Sequence, residues 1–506
     1  MTEFLTEEEL VALEPAESAA FRSPIPTQVI SNGEFTPSPQ SAKQKETEAR
    51  IIALADELGA KQGLPRRAFL RTASGMAAAF LAMNEVYGNV FGVSRAEAAV
   101  PEVAEERAKR LSKQFVFDDH THFLRADAGP NSPLRRFVGL RKAVAKSGKN
   151  PEMTDPEAQT YEHLQFQNYI KEMYFDSDTK IAILSGAPSD IPEDWFLTNR
   201  MKAEARARVN KLSESKRLYT HAVFTPGMPG WLDQMDEAIE QLAPDSWKGY
   251  TIGDNTHKDT SKYPWRMDDE KVTYKGYEKM AAAGIRNVCV HKGLFPVGAA
   301  KRWPHLEQYA AVDDVAKAAK DWPQLNFLVY HSGYRHIGSA VKDAAAEFDR
   351  TGRISWVTEL AEIPEKHGVT NVYGDLGATF ATAAVSHPRV AAGLLGTLVR
   401  GLGVSNVVWG TDSLWYGSPQ WQIEAFRRLE IPEDMQKKHG FAPLGPDDGA
   451  VKSAILGFNS ARLYGIKLDA AMNTLENDRF AQMKADYLEN GPRRSNRAYG
   501  YVPKRA

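Results

Sequence analysis

The chain contains very little cysteine. Cys289 is the single cysteine among 506 residues, so the chain cannot form an internal disulfide or a zinc cluster built from cysteines. It lies in the apolar run from Asn287 to His291. This setting predicts a buried core thiol rather than a nucleophile.

The chain also lacks an excess of charge of either sign. Its formal net charge is −2 at pH 7, so charge gives no reason to expect a nucleic-acid partner. Its hydrophobic content of 42% and charged content of 25% are ordinary for a globular protein. The length allows one large domain with appendages, or two to three domains.

Residues 65–71 read Pro-Arg-Arg-Ala-Phe-Leu-Arg and resemble the start of a bacterial twin-arginine export signal. An alanine-rich run follows from Thr72 to Phe91, and Ala96-x-Ala98 fits a small-residue cleavage pattern. The alanine-rich run is too short and too polar to cross a bilayer comfortably. We therefore expect the twin-arginine export machinery as a partner and a periplasmic or exported location. If the segment is an ordinary amphipathic helix instead, the protein is expected in the cytoplasm.

From Phe115 onward, short apolar runs alternate with helical patterns, which is typical of parallel strands connected by helices. The predicted strands are Phe115–Asp119, Lys180–Ser185, Leu218–Phe224, Trp247–Thr251, Asn287–His291, Asn326–His331, Asn371–Leu376 and Asn406–Gly410. Eight such units predict a (β/α)8 TIM barrel. An open doubly wound sheet is the alternative, but no Gly-rich phosphate fingerprint follows the first strand. The connection between strands one and two, of roughly 60 residues, exceeds the usual length and is expected to carry its own helices and to cover the barrel mouth.

The chain is therefore divided into four parts. Residues 1–63 form a polar, largely disordered extension with a helix predicted at Glu46–Leu58, and residues 64–99 form the signal-like segment. Residues 100–470 form the barrel, and residues 471–506 form a C-terminal helix and a basic tail.

Several strands end in groups that can bind a metal or transfer a proton. His120 and His122 stand two residues apart, which on a strand places both imidazoles on one face. His291, His331 and Asp412 follow strands five, six and eight. Active sites of such barrels lie at the carboxyl ends of the strands, so these five side chains are predicted to form one site.

The motifs Asp119-His-Thr-His122, Cys289-Val-His291, Tyr330-His-Ser-Gly333 and Gly410-Thr-Asp412 resemble those of the amidohydrolase superfamily. The run Ile455–Tyr464 is similar to the closing helix of the amidohydrolase-related branch that includes aminocarboxymuconate-semialdehyde decarboxylase. The resemblance implies a metal-dependent TIM barrel from about Phe115 to Gly465.

By this resemblance, His120, His122 and His291 would bind a divalent metal, with Asp412 as a ligand or base. His331 would act as general acid/base or orient the substrate carbonyl. Three imidazoles and a carboxylate suit Zn²⁺ best here, with Mn²⁺ or Fe²⁺ as alternatives. Such a metal would activate a water molecule at neutral pH.

Other residues are candidates for contacts with the substrate. Lys248 on strand four is expected to bind substrate or serve the structure, and a role as a carboxylated bridge between two metals is the alternative. Arg125 and Arg335 are candidates for binding an anionic group. Trp415 is a candidate pocket wall, and packing against the scaffold is its alternative role.

The leading prediction is a metal-dependent hydrolase that acts on a C–N or C–O bond of a small molecule. A nonoxidative decarboxylase of an aromatic or muconate-type acid is the first alternative, and an arginine near the site would favour it. A non-catalytic ligand-binding barrel is the second alternative. Barrels of this kind are often dimers, so a homodimer is a further expectation.

Overall fold

The computed structural model describes residues 23–27, 40–135 and 161–492. Within these residues, each of the eight predicted strands is present, with ends that differ from the prediction by at most two residues. The strands are β1 Phe117–Thr121, β2 Ile181–Leu184, β3 Leu218–Val223, β4 Ser246–Tyr250, β5 Asn287–His291, β6 Asn326–Tyr330, β7 Val372–Asp375 and β8 Val407–Val408.

The eight strands form one sheet in the order β1 to β8, and every neighbouring pair is parallel. The sheet closes because β1 also contacts the residues around β8. The Asp119 N–H donates to the carbonyl of Trp409 at 3.0 Å, and the Asp412 N–H donates to the carbonyl of His120 at 2.8 Å. The predicted (β/α)8 barrel is therefore confirmed.

Helices follow the strands and cover the outside of the barrel. The α-helices between β2 and β8 are Asn199–Ser213, Trp231–Glu237, Thr273–Ala282, Val297–Arg302, Glu307–Ala310, Val315–Asp321, Val341–Thr351, Val357–Ala361, Ile363–His367, Gly377–Ser386 and Pro388–Leu402. Those after β8 are Gln420–Arg428, Glu433–His439, Ala450–Ser453, Asn459–Leu463, Leu468–Leu475 and Arg479–Glu489. The predicted boundary between residues 470 and 471 falls inside Leu468–Leu475.

The long connection between β1 and β2 is described only at its two ends. It contains the α-helix Phe166–Ile170, which continues into the π-helical turn Lys171–Phe175. Residues 136–160, in the middle of this connection, lie outside the described residues. The expectation that this connection covers the barrel mouth stays a prediction.

A helical extension precedes the barrel, with α-helices Ala42–Lys61, Arg66–Phe69, Ala73–Tyr87, Arg95–Ala99 and Pro101–Leu111. The first of these contains the predicted helix Glu46–Leu58, and its N-terminus carries a capping box between Ser41 and Gln44. The alanine-rich run is packed into the body of the protein, since the residues from Ala77 to Ala79 are fully buried. Phe91 also pairs with Leu429 in an antiparallel bridge.

Among the described residues, no helix combines the length and apolar character needed to cross a membrane.

Candidate metal centre

The carboxyl ends of β1, β5, β6 and β8 bring the five sequence-predicted side chains to one end of the barrel. The five residues are His120, His122, His291, His331 and Asp412, and none is more than 5% exposed. Neighbouring imidazole rings lie close together. The His120 ring centroid is 5.2 Å from that of His122 and 4.9 Å from that of His331, which in turn lies 4.7 Å from His291.

Asp412 faces both His120 and His122. Its Oδ1 lies 3.4 Å from Nε2 of His120 and 3.4 Å from Nε2 of His122. The ligand atoms of these three residues all lie within 4.8 Å of one another. Two imidazole nitrogens and a carboxylate oxygen converging in this way form a donor set that fits a divalent metal.

A second group of possible ligands shares His120 with the first. It consists of His120, His331 and Asp375, whose ligand atoms also lie within 4.8 Å of one another. Asp375 is the last residue of β7, and its Oδ2 is 3.1 Å from Nδ1 of His120. The two ring nitrogens of His120 therefore face carboxylates on opposite sides, Asp412 and Asp375.

Two of the clustered residues have an unusual backbone conformation. His331 has φ +62° and Asp412 has φ +58°, in the left-handed region that residues other than glycine rarely adopt. Such conformations cost of the order of 1 kcal/mol or more each and are concentrated at functional sites. The chain therefore holds these two side chains at a cost in stability.

The electrostatic environment keeps His120 neutral. Burial lowers the pKa of His120 well below its usual value, and Lys248 and the neighbouring histidines lower it further. A neutral imidazole has a lone pair available for a metal. His120 Nε2 makes no hydrogen bond within the described structure, so this buried nitrogen fits a ligand role.

Lys248 lies within the barrel on β4 and is fully buried. Its Nζ is 3.3 Å from the centroid of the Tyr330 ring and makes no hydrogen bond to any described residue. Burial lowers the pKa of Lys248 to about 7. The ammonium thus faces an aromatic ring, and the predicted contact with substrate stays a prediction.

Aromatic rings lie beside His122 and His291 of the site. Trp415 stacks on His122 with ring centroids 5.5 Å apart, and it also contacts Phe196 at 5.6 Å. Tyr250 stacks on His291 at 4.7 Å. Trp415 therefore packs against His122, and its role as a pocket wall stays a prediction.

The two candidate arginines are engaged elsewhere in the structure. Arg125 forms an ion pair with Asp127 at 2.6 Å. Arg335 pairs with Glu307 at 2.5 Å and lies over the ring of Trp356. Their roles in binding substrate stay predictions.

Sequence reasoning missed two buried carboxyls of the site, Asp119 and Asp375. Burial raises the pKa of both, and each carboxyl interacts with the other. A signal for Asp375 was present, because it is the next-to-last residue of the predicted strand Asn371–Leu376. Asp119 is part of the motif around His120, and it lies where the register between β1 and β2 is irregular.

Comparison with known proteins bears on this arrangement. A family model described as "Amidohydrolase" matches residues 196–466, more than half of the chain. The chain belongs to the amidohydrolase family. The range that matches the amidohydrolase family contains His291, His331 and Asp412, while His120 and His122 precede it.

Several solved structures are similar to this amidohydrolase. One is an uncharacterised TIM-barrel protein from Bordetella bronchiseptica, which has 15% sequence identity and a TM-score of 0.43. The match covers 71% of this chain and 99% of that chain. The 5-carboxyvanillate decarboxylase of Sphingomonas paucimobilis has 13% identity, a TM-score of 0.40, and coverage of 70% and 100%. The 4-oxalomesaconate hydratase of Rhodopseudomonas palustris has 16% identity, a TM-score of 0.38, and coverage of 74% and 100%. This likeness is too low to bear on the reaction. A search of curated proteins finds no match.

Proposed function

We propose that the protein is a metal-dependent hydrolase that cleaves a C–N or C–O bond of a small molecule. The observation that carries the proposal is the position of Asp412, whose Oδ1 lies 3.4 Å from Nε2 of both His120 and His122 in a buried site of an amidohydrolase. In this proposal His120, His122, His291 and Asp412 hold the metal. Zn²⁺ is the proposed ion, with Mn²⁺ and Fe²⁺ as alternatives.

The bound metal would supply Lewis-acid polarisation of a substrate oxygen and would make a water molecule more acidic. Asp412 accepts the proton of the attacking water. His331, next to His120 and His291, donates a proton to the leaving group. The rings of Trp415 and Phe196 exclude solvent on the His122 side and offer an apolar surface to the substrate.

The test is a screen of the metal-loaded protein against two sets of small molecules. Aryl esters and anilides report hydrolysis through release of the phenol or aniline, and hydroxybenzoates report decarboxylation through release of CO₂. Hydrolysis that requires both metal and His331 supports the proposal. Metal-dependent CO₂ release without hydrolysis would contradict the hydrolase proposal. It would favour a nonoxidative decarboxylase, as the resemblance to the amidohydrolase-related branch suggests. Metal binding without turnover of either set would favour the ligand-binding barrel.

A further inference from the structure

The side chain of Asp375 contacts two residues of the site through one oxygen. Asp375 Oδ2 lies 3.1 Å from Nδ1 of His120, and it accepts the backbone N–H of His331 at 3.2 Å. Asp375 is fully buried at the end of β7. One carboxylate thus joins a proposed metal ligand to the proposed proton donor.

Two glycines leave room for this carboxylate. A Cβ atom at Gly410 would lie 2.0 Å from Asp375 Oδ1, and a Cβ atom at Gly377 would lie 2.8 Å from Asp375 Oδ2. The Cβ at Gly377 would also lie 2.7 Å from Nδ1 of His331. Any side chain at either position would push the carboxylate away from the histidines, so the surroundings are shaped around Asp375.

Hydrogen bonds to the backbone fix the same corner of the barrel. The Ser332 hydroxyl donates to the carbonyl of Asp375 at 2.7 Å. The Thr379 hydroxyl donates to the carbonyl of His331 at 2.9 Å. The ends of β6 and β7 and the start of helix Gly377–Ser386 are therefore held together where Asp375 meets the two histidines.

The hydrogen bonds of Asp375 Oδ2 bear on which nitrogen of His120 carries the proton. The backbone N–H of His331 can only donate, so Oδ2 accepts that bond, and an ionised carboxylate can only accept from Nδ1 of His120 as well. A neutral imidazole has one donor nitrogen and one acceptor nitrogen. If Nδ1 donates to Oδ2, then Nε2 keeps its lone pair and presents it towards Asp412 and His122.

We propose that Asp375 is a positioning residue that holds His120 in the Nδ1–H tautomer and His331 beside it, so that Nε2 of His120 is ready to bind the metal. A carboxylate behind a metal-binding histidine orients the ring and strengthens it as a ligand. The inference rests on the metal site of the proposed function. It assigns a role to Asp375, which lies on β7, a strand that contributes no proposed metal ligand.

The first test measures Zn²⁺ affinity by competition with a chromophoric chelator in the wild type and in Asp375→Asn. The variant is expected to bind Zn²⁺ about 10- to 100-fold more weakly, the usual effect of losing such a partner. Asp254→Asn is the matched control, because Asp254 is a buried acceptor that bonds Ser189 and backbone N–H groups of nearby loops. Unchanged affinity in a folded Asp375→Asn variant would overturn the inference.

The second test uses the wild-type chain and remains decisive if Asp375→Asn does not fold. Nitrogen-15 NMR of protein labelled at histidine, with His120 assigned from a His120→Gln variant, reads the tautomer directly in the metal-free protein. A proton on Nδ1 supports the inference, and a proton on Nε2 overturns it. Because this readout needs neither metal nor substrate, its result is independent of whether the proposed hydrolase activity is found.

Discussion

Glu97 and Arg428 form a buried, bidentate ion pair between the helical extension and the barrel. Glu97 Oε1 lies 2.5 Å from Nη2 of Arg428, and Oε2 lies 3.1 Å from Nη1. Their side chains are only 9% and 2% exposed. Glu97 stands between Ala96 and Ala98, within the pattern that resembles an export cleavage site, so this pattern is folded into the protein. Use of the segment as an export signal stays a prediction.

Replacing Glu97 by Gln should destabilise the whole protein. The change leaves Arg428 buried without its main counter-charge, and breaking a buried pair in this way typically costs about 3–5 kcal/mol. We expect the melting temperature of the barrel, followed by circular dichroism, to fall by several degrees. Glu105→Gln, at an exposed position of the next helix, is the control. A barrel that melts at the same temperature in both variants would mean that the extension does not support it.

Acid should weaken the same interface through Glu424. Burial would raise the pKa of Glu424, but Arg107, Arg427 and Arg428 outweigh it and lower this pKa to about 2. Because this pKa is lower in the folded protein than in the unfolded chain, where it is near 4.3, the ionised Glu424 adds about 3 kcal/mol to the free energy of unfolding at pH values above about 4.3. This stabilisation is lost as the pH falls towards about 2. The melting-temperature gap between wild type and Glu424→Gln should therefore be widest near pH 7 and shrink below pH 5. A gap that does not change with pH would contradict the ion-pair account.

Much of this architecture is predictable from local sequence patterns. The apolar runs locate the strands because parallel strands buried on both faces are mostly apolar, although β1 itself carries polar residues after Phe117. The histidines at strand ends identify the site because those ends meet at one rim of a closed barrel. His120 and His122 share a face because of their spacing, as the common distance to Asp412 shows.

The interior partners of the site were harder to predict. The contact between His120 and Asp375 joins residues 255 positions apart, and its geometry depends on barrel closure and on the space left by Gly377 and Gly410. The pairing of Arg335 with Glu307 likewise joins the loop after β6 to the helix Glu307–Ala310, two segments that only the folded structure brings together. Spacing along the chain carries no information about such contacts.

Replacing Lys248 by Met should leave the metal content unchanged. The Lys248 ammonium faces the Tyr330 ring and has no hydrogen-bond partner among the described residues, so a buried apolar side chain of similar length should be tolerated. We expect elemental analysis to give the same metal content as in wild type, with no fall in melting temperature. Loss of a metal equivalent in this variant would instead assign Lys248 to the metal site as a bridging ligand.

Replacing His331 by Asn should separate proton transfer from metal binding. Asn tolerates the positive φ of +62° at this position, so the backbone should be kept. We expect full metal content and a kcat about 10²- to 10⁴-fold lower on the substrate found in the screen, the usual contribution of a general acid. His336→Asn serves as the control, because His336 pairs with Glu347. Equal activity of the two variants would remove His331 from the proposed mechanism.

The most direct measurement is elemental analysis of the purified wild type beside a His120→Ala, His122→Ala double variant. A second double variant, His305→Ala with His367→Ala, removes two exposed histidines and controls for non-specific binding. The account predicts about one divalent metal per chain in the wild type and in the control, and loss of that metal in the His120, His122 variant. A wild-type protein that holds no metal even after reconstitution, or a His120, His122 variant that keeps its metal, would contradict the account.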